Sequence, residues 1–174
     1  VQGQAYRAQY DFPAISLLLA NLYGPGDNFD PATSHVIPAL IRKAVEARES
    51  GSSRLDVWGN GTASRDFLFV RDAAEAVALA TETYHNPDPV NIGSGHEVTI
   101  SELAAWISEL TRFPGEICWD AAQTGGQQRR CLDTTRAERE LGFRATTPFR
   151  DGLRETVNWF ERNRDRIGAL SHHH

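Results

Sequence analysis

The sequence predicts an α/β fold built on parallel strands, and three observations carry that prediction. Short apolar runs of strand length alternate with longer segments whose apolar residues recur at the helical period. The run from Ile15 to Ala20 is continuous and aliphatic, too short for a helix with its own core face, and has the pattern of a strand buried on both sides. It ends in Asn-Leu-Tyr-Gly-Pro-Gly-Asp-Asn at 21–28, a break of turn formers. Ligands of open parallel sheets sit just past the carboxyl ends of strands, so Asn21, Leu22 and Tyr23 are expected at a ligand.

The elements follow in order. Residues 1–10 read as the last turns of a helix, with Val1, Ala5, Tyr6 and Ala8 on its inner side. After the strand at 14–20 and a polar loop at 24–33, an amphipathic helix is expected over about 34–49, capped by Thr33 or Ser34, with His35 and Pro38 in its first turn. His35, Ala39, Arg42 and Lys43 then share one face. A strand at 54–58, a hairpin-like turn at Gly59-Asn60-Gly61 and a second strand at 66–70 come next. The Ala-rich stretch 72–84 reads as a helix capped by Asp72. Val90 to Ile92 is a short strand, and Thr99 or Ser101 opens a helix with Ile100, Leu103, Ala104, Ile107 and Leu110 as its stripe. A strand at 116–119, a polar loop at 123–130, an extended piece at 131–133, a short helix at 134–141 closed by Gly142 and a helix from Phe149 to about Arg166 complete the chain. In the last helix Leu153, Val157 and Phe160 are expected to face inward.

Composition narrows the classes. With 174 residues, 40% hydrophobic and 24% charged, the chain suits one globular core. A net charge of -5 with dispersed cations argues against a nucleic-acid partner. No apolar segment has the length of a membrane span and no basic-plus-apolar leader is present, which makes the cytoplasm the expected compartment. Cys118 and Cys131 lack a partner at metal-ligand spacing, so no metal site is expected and both read as reduced thiols. Ser171 to His174 reads as a tag remnant.

A series of short strings, taken in order, resembles one family. Asn-Leu-Tyr-Gly-Pro at 21–25 leads through Asp27-Asn28-Phe29 to Ser-His-Val-Ile-Pro-Ala-Leu-Ile-Arg-Lys at 34–43. Val57 to Thr62, Arg65 to Asp72, Asn91 to Gly95 and Thr99 to Ala104 follow. Together they resemble the carboxy-terminal half of the GDP-L-fucose synthases, epimerase/reductases of the extended short-chain dehydrogenase/reductase superfamily. The resemblance implies the carboxy-terminal part of an extended Rossmann-type fold. Residues 1–30 would end the Rossmann domain, 31–170 would form mostly a substrate-binding subdomain, and elements at about 66–95 would return to the Rossmann sheet. The Tyr-x-x-x-Lys relay, the glycine-rich dinucleotide fingerprint and the partner Cys of that family have no counterpart in this sequence. The chain is therefore expected to be a piece of something longer and inactive alone, with NADP or NAD bound mainly by the amino-terminal half.

Site residues follow from the same resemblance. An imidazole at the start of a helix can serve as base and then acid. In the family, the His at the position of His35 moves the proton alpha to a 4-keto carbon and lies at the cofactor. Guanidinium and ammonium groups suit a nucleotide-sugar diphosphate, and the family places such cations at Lys43 and Arg65 with Trp58 beside them. Arg42 is a further candidate cation, with a solvated helix face as its ordinary role. Trp58 has core packing as its ordinary role. Leu19, Ala20, Asn21 and Leu22 match the segment lining the nicotinamide end of the cofactor, although the family has Pro-Thr where this chain has Leu19-Ala20. Asn21 can equally serve to stabilise the loop. Gly93-Ser94-Gly95 is not a phosphate-loop pattern and reads as a turn. Gly125 stands where the family carries an acidic residue at the nucleotide-sugar, and Arg129 or Arg130 could reach the ligand instead.

The implied function is a GDP-4-keto-6-deoxymannose-type 3,5-epimerase/4-reductase or close relative. Two alternatives stay open at this point: an NDP-sugar 4-epimerase or 4,6-dehydratase, and a non-catalytic nucleotide-sugar binding module. Family members are often homodimers through a helix pair that includes the first helix, which leaves dimerisation of this chain open.

Overall fold

The computed structural model describes residues 2–122 and 127–170, with side chains through Arg166. Among the described residues, six helices and eight strands run in the order α1 (Gln2–Tyr10), β1 (Leu17–Leu19), β2 (Asn21–Tyr23), α2 (Val36–Glu49), β3 (Arg54–Trp58), β4 (Ser64–Phe69) and α3 (Val70–Thr83). They continue with β5 (Val90–Ile92), β6 (Glu97–Thr99), α4 (Ile100–Thr111), β7 (Glu116–Asp120), β8 (Arg129–Arg130), α5 (Thr135–Leu141) and α6 (Phe149–Leu170). The α/β class is as the sequence predicts. β1 pairs with β5, β3 with β7 and β4 with β8, all parallel, and the remaining sheet order is β2-β4-β6.

The chain divides into two compact units. The first comprises 1–22, 66–97 and 131–147, and the second comprises 23–65, 98–130 and 148–174. Each is interleaved in sequence because parallel neighbours need crossovers.

The first unit has its core between β5, α3 and α5. Ala73, Ala76 and Ala80 recur along one face of α3 and meet Val90, Ile92, Ala137, Leu141 and Phe143. Small alanines let the helix lie close to the strand. Asp72 does not cap α3; Phe69 holds that position, and Asp72 is buried two residues into the helix. There its carboxylate accepts from the Thr147 amide at 3.1 Å and the Thr147 hydroxyl at 2.9 Å. A buried charge needs such donors, and a distant segment supplies them.

Strand β1 departs from expectation. The run was expected to be buried on both sides, yet Leu18 and Leu19 are exposed and the run breaks at Ala20 into β1 and β2. Only β5 flanks β1 among the described residues, which leaves its other side uncovered. Helix α1 likewise buries none of its residues: Tyr6 and Tyr10 stand in solvent, their rings 5.5 Å apart. Ala5, Tyr6 and Ala8 therefore form no inner side here, and Val1 lies outside the described residues.

The second unit packs α2 against α4 and α6. Ile37, Ile41 and Val45 fall on one stripe of α2, and Leu103, Ile107, Leu153, Val157 and Phe160 answer them as buried side chains. Each such burial contributes about 1.5–3 kcal/mol. Helix α4 starts as a capping box, with Thr99 and Glu102 satisfying each other's amides. Strand β3 does not form a hairpin with β4. It pairs instead with β7, Leu55 beside Ile117 and Val57 beside Trp119. The turn at Gly59 and Gly61 keeps the left-handed φ angles its glycines allow, +87° and +77°, but it leads into a different sheet.

Candidate functional site

The candidate residues fall into both units, and each group has its own chemistry. In the first unit, Asn21 lies within β2 rather than in the loop after it. Its side-chain amide donates to the main-chain carbonyl of Asp66 at 2.9 Å. The loop-stabilising role is thus the one in use for that N–H. Asp66 is almost wholly buried, and its Oδ1 accepts from the Ser94 amide at 3.0 Å and the Ser94 hydroxyl at 2.6 Å. Its Oδ2 is buried with no hydrogen-bond partner and faces Gly93, where a Cβ would lie 2.3 Å away. Gly93-Ser94-Gly95 is accordingly a turn clamped by a carboxylate. Ala20 donates its amide to the Ile92 carbonyl, while Leu19 and Leu22 keep exposed apolar side chains.

In the second unit, His35 is exposed and occupies the N-cap of α2 with extended backbone, φ −76° and ψ 173°. Neither expected cap, Thr33 or Ser34, holds that position. The loop before them closes on Asp30, whose carbonyl accepts from the Thr33 and Ser34 amides and whose carboxylate accepts from Ala32 N–H and the Thr33 hydroxyl. That turn carries the chain one residue further before the helix begins. The helix therefore starts at Val36, with Pro38 still in its first turn, where a missing N–H costs nothing.

Lys43 and Trp58 are brought together. The Lys43 ammonium lies 5.3 Å from the Trp58 ring centre and donates to the Asp56 carbonyl at 3.3 Å. Trp58 is 68% exposed, which removes core packing as its role. Arg65 is half-buried and donates to the Ser64 carbonyl. In the β4–β8 ladder Ser64 pairs with Arg129 and Arg65 with Arg130, so Arg65 and Arg130 stand side by side. Neither Lys43 nor Arg65 forms an ion pair among the described residues. Arg42 differs: its Nε meets Glu46 at 2.7 Å and its Nη1 donates to the Phe29 carbonyl at 3.1 Å. Its charge is already answered within the helix and the preceding loop. Gly125, at the position where the resemblance expects an acid, lies outside the described residues, as do residues 171–174.

Two features escaped sequence reading. Trp119 on β7 presses its ring against Gly61, where a Cβ would lie 2.8 Å from it. Asp27 keeps one carboxylate oxygen buried without a partner, and burial pushes its carboxyl above the ordinary range against the opposing pull of the Asn28 amide and, less strongly, of His35. Asp27 stood in one of the quoted strings, but nothing local marks a half-buried carboxylate.

With the geometry in view, comparison with known proteins decides the family. The model of the NAD dependent epimerase/dehydratase family matches residues 2–93. The chain belongs to that family. A probable GDP-L-fucose synthase 1 of Oryza sativa is 44% identical over 160 residues, covering 92% of this chain and 48% of its own. A GDP-L-fucose synthase of Escherichia coli is 39% identical over 173 residues, covering 94% of this chain and 54% of its own. Among solved structures, a GDP-L-fucose synthetase from Naegleria fowleri bound to NADP superposes with a TM-score of 0.88 at 27% identity, over 94% of this chain and 53% of that one. The chain thus spans about half the length of the curated relatives it matches. Among the described residues no helix is long and apolar enough to cross a membrane, and no cluster of three or more His, Cys, Asp or Glu could hold a metal ion.

Proposed function

We propose that this chain is the substrate-binding part of a nucleotide-sugar epimerase/reductase acting on a GDP-4-keto-6-deoxymannose-type substrate. The observation that carries the proposal is the state of two cations. Lys43 and Arg65 donate to main-chain carbonyls rather than carboxylates, which leaves their charge available for a diphosphate. Trp58, exposed beneath Lys43, offers a ring face to a base or sugar. Arg42, paired with Glu46, is a weaker ligand in this proposal.

His35 is the proposed acid/base group. Being exposed at the helix start, it can reach a carbon-bound proton beside a ketone. NADP or NAD would supply or accept the hydride at the sugar C4. The chain's own share in holding it would be small. Leu19 and Leu22 expose apolar side chains suited to a nicotinamide face, and Ala20 contributes backbone, while the Asn21 amide is occupied. A homodimer through the first helix belongs to the same proposal, supported by the exposed Tyr6, Tyr10 and Phe12. So does a cytoplasmic location.

The test is turnover. A protein that joins this chain to an amino-terminal half carrying the dinucleotide fingerprint should convert GDP-4-keto-6-deoxymannose with NADPH. The His35→Asn variant should lose about 10²–10⁴-fold in kcat, the span of a missing acid/base group. The 174 residues alone should show no turnover. Activity only on UDP-hexoses would favour a 4-epimerase, and binding without any turnover would favour the non-catalytic module.

A further inference from the structure

We infer that Trp119 is a positioning residue of the candidate site: its ring braces the turn at 59–63 and so sets where Trp58 stands relative to Arg65. The inference deepens the nucleotide-sugar reading and rests on it. It also names what the brace selects, a base and a diphosphate joined in one ligand over a bare diphosphate.

The turn joins the two binding groups. β3 ends at Trp58 and β4 begins at Ser64, so Trp58 and Arg65 stand on either side of it. The two strands lie in different sheets, and no ladder between them fixes their separation. That separation is left to the turn and to what holds it. Main-chain bonds tie it at both ends: the Gly59 amide donates to the Asp120 carbonyl at 2.9 Å, and the Ser64 amide to the Gln128 carbonyl at 2.8 Å. On the side of α4, the Gly61 and Ala63 carbonyls accept the Ser101 and Ile100 amides at 3.0 and 2.9 Å.

One side chain completes the hold. A Cβ at Gly61 would meet Trp119 Cη2 at 2.8 Å, Trp119 Cζ2 at 3.0 Å and the Ser101 Cβ at 3.0 Å. Gly61 is thus pressed between the indole and the first turn of α4. Its φ of +77° asks for glycine independently. The indole therefore rests on main chain, which cannot swing aside as a flexible side chain would.

Core packing accounts poorly for this tryptophan. Its ladder partner Val57 is buried, whereas Trp119 keeps 36% of its surface exposed. The next residue of β7, Asp120, pairs with Trp58. One strand end thus carries both the neighbour of Trp58 and the ring against the turn that follows it. A ligand spanning Trp58 and Arg65 gains from both contacts only when their spacing matches its own. A bare diphosphate needs the cations alone. Loosening the turn must then cost the longer ligand more than the shorter one.

The test compares GDP-mannose with inorganic pyrophosphate in NMR titrations of the 174-residue chain. Trp119→Leu should weaken GDP-mannose about tenfold and leave pyrophosphate unchanged. Trp119→Phe, with a shorter ring, should fall between wild type and Trp119→Leu, and it carries the comparison if the leucine variant does not fold. Trp119→Leu added to Trp58→Ala should cost no further affinity for GDP-mannose, because a residue acting through Trp58 then has nothing left to position. Val157→Ala, which opens the core of the same unit away from the turn, should change neither affinity. Equal weakening of both ligands, additive losses in the double variant, or unchanged GDP-mannose binding in the Trp119 variants would overturn the inference.

Hydrogen exchange separates the brace from the reading it rests on. In the free protein, the Gly59 and Ser101 amides should exchange about tenfold faster in Trp119→Leu than in wild type, with the Ile41 amide of α2 unchanged. Faster exchange at those two amides in a protein that binds neither ligand would remove the nucleotide-sugar reading and keep the brace. GDP-mannose binding with unchanged exchange would keep that reading and remove the brace.

Discussion

The candidate polar side chains of the two compact units are used in opposite ways. In the first, Asp66, Asp72 and Ser94 are committed to donors and acceptors inside the fold, and Asn21 gives its amide to the Asp66 carbonyl. In the second, Lys43 and Arg65 rest on carbonyls, Trp58 stands in solvent, and His35 caps a helix without spending its ring on the cap. Polar groups of the first kind fix where strands end, and losing one strands its buried partner. Groups of the second kind hold little of the fold in place, so their residue types are better explained by what they meet from outside.

The largest effect should come from filling the space at Gly93. An alanine Cβ would lie 2.3 Å from the buried Asp66 Oδ2, and the carboxylate cannot withdraw without breaking its bonds to Ser94. Urea denaturation of Gly93→Ala should show a loss of about 3 kcal/mol. A loss below about 1 kcal/mol would show that the turn is not clamped and would blur the contrast. A smaller effect sharpens it from the other side. Thr99→Ala removes the cap of α4 and should cost about 1 kcal/mol at pH 7. The Thr99 hydroxyl, and then its amide, hold the Glu102 carboxyl below the usual value. That contribution is present above the ordinary Glu pKa and fades as pH falls through the lowered folded value. The difference between wild type and Thr99→Ala should therefore shrink toward pH 3, and a constant difference would assign the effect to the helix propensity alone. Smallest of all, Arg65→Ala and Trp58→Ala should leave folding stability within about 0.5 kcal/mol.

Much of this was legible in the sequence. The 3.6-residue stripes gave α4 and α6 their inward faces, Leu103 and Ile107 in one, Leu153, Val157 and Phe160 in the other. Gly142 closes α5 in the left-handed region, as its position suggests. What stayed hidden was set by partners far along the chain. Periodicity shows that Arg54 to Trp58 is a strand but not that β7 is its neighbour, and so a hairpin was expected. Asp72 looks like a cap because the residues that bury it, Thr146 and Thr147, belong to a distant turn. The start of α2 lies one or two residues later than periodicity suggests because the Thr33 and Ser34 amides close on the Asp30 carbonyl and the Thr33 hydroxyl on its carboxylate. At the candidate site, His35, Lys43, Trp58 and Arg65 were named from the resemblance, and the structure adds that Lys43 and Trp58 touch while Arg42 is paired elsewhere. The buried oxygen of Asp27 had no sequence signal, since burial is a property of the folded loop.

The most direct test of the account is a ¹⁵N NMR titration of the chain with GDP-mannose, a stable stand-in for the substrate diphosphate. The account predicts shifts concentrated at Lys43, Trp58 and Arg65, with little change at Asn21, Asp66 and Ser94, and an affinity about tenfold or more weaker in Arg65→Ala. Shifts centred on Asn21, Asp66 and Ser94, or binding unchanged by Arg65→Ala in a folded protein, would contradict it.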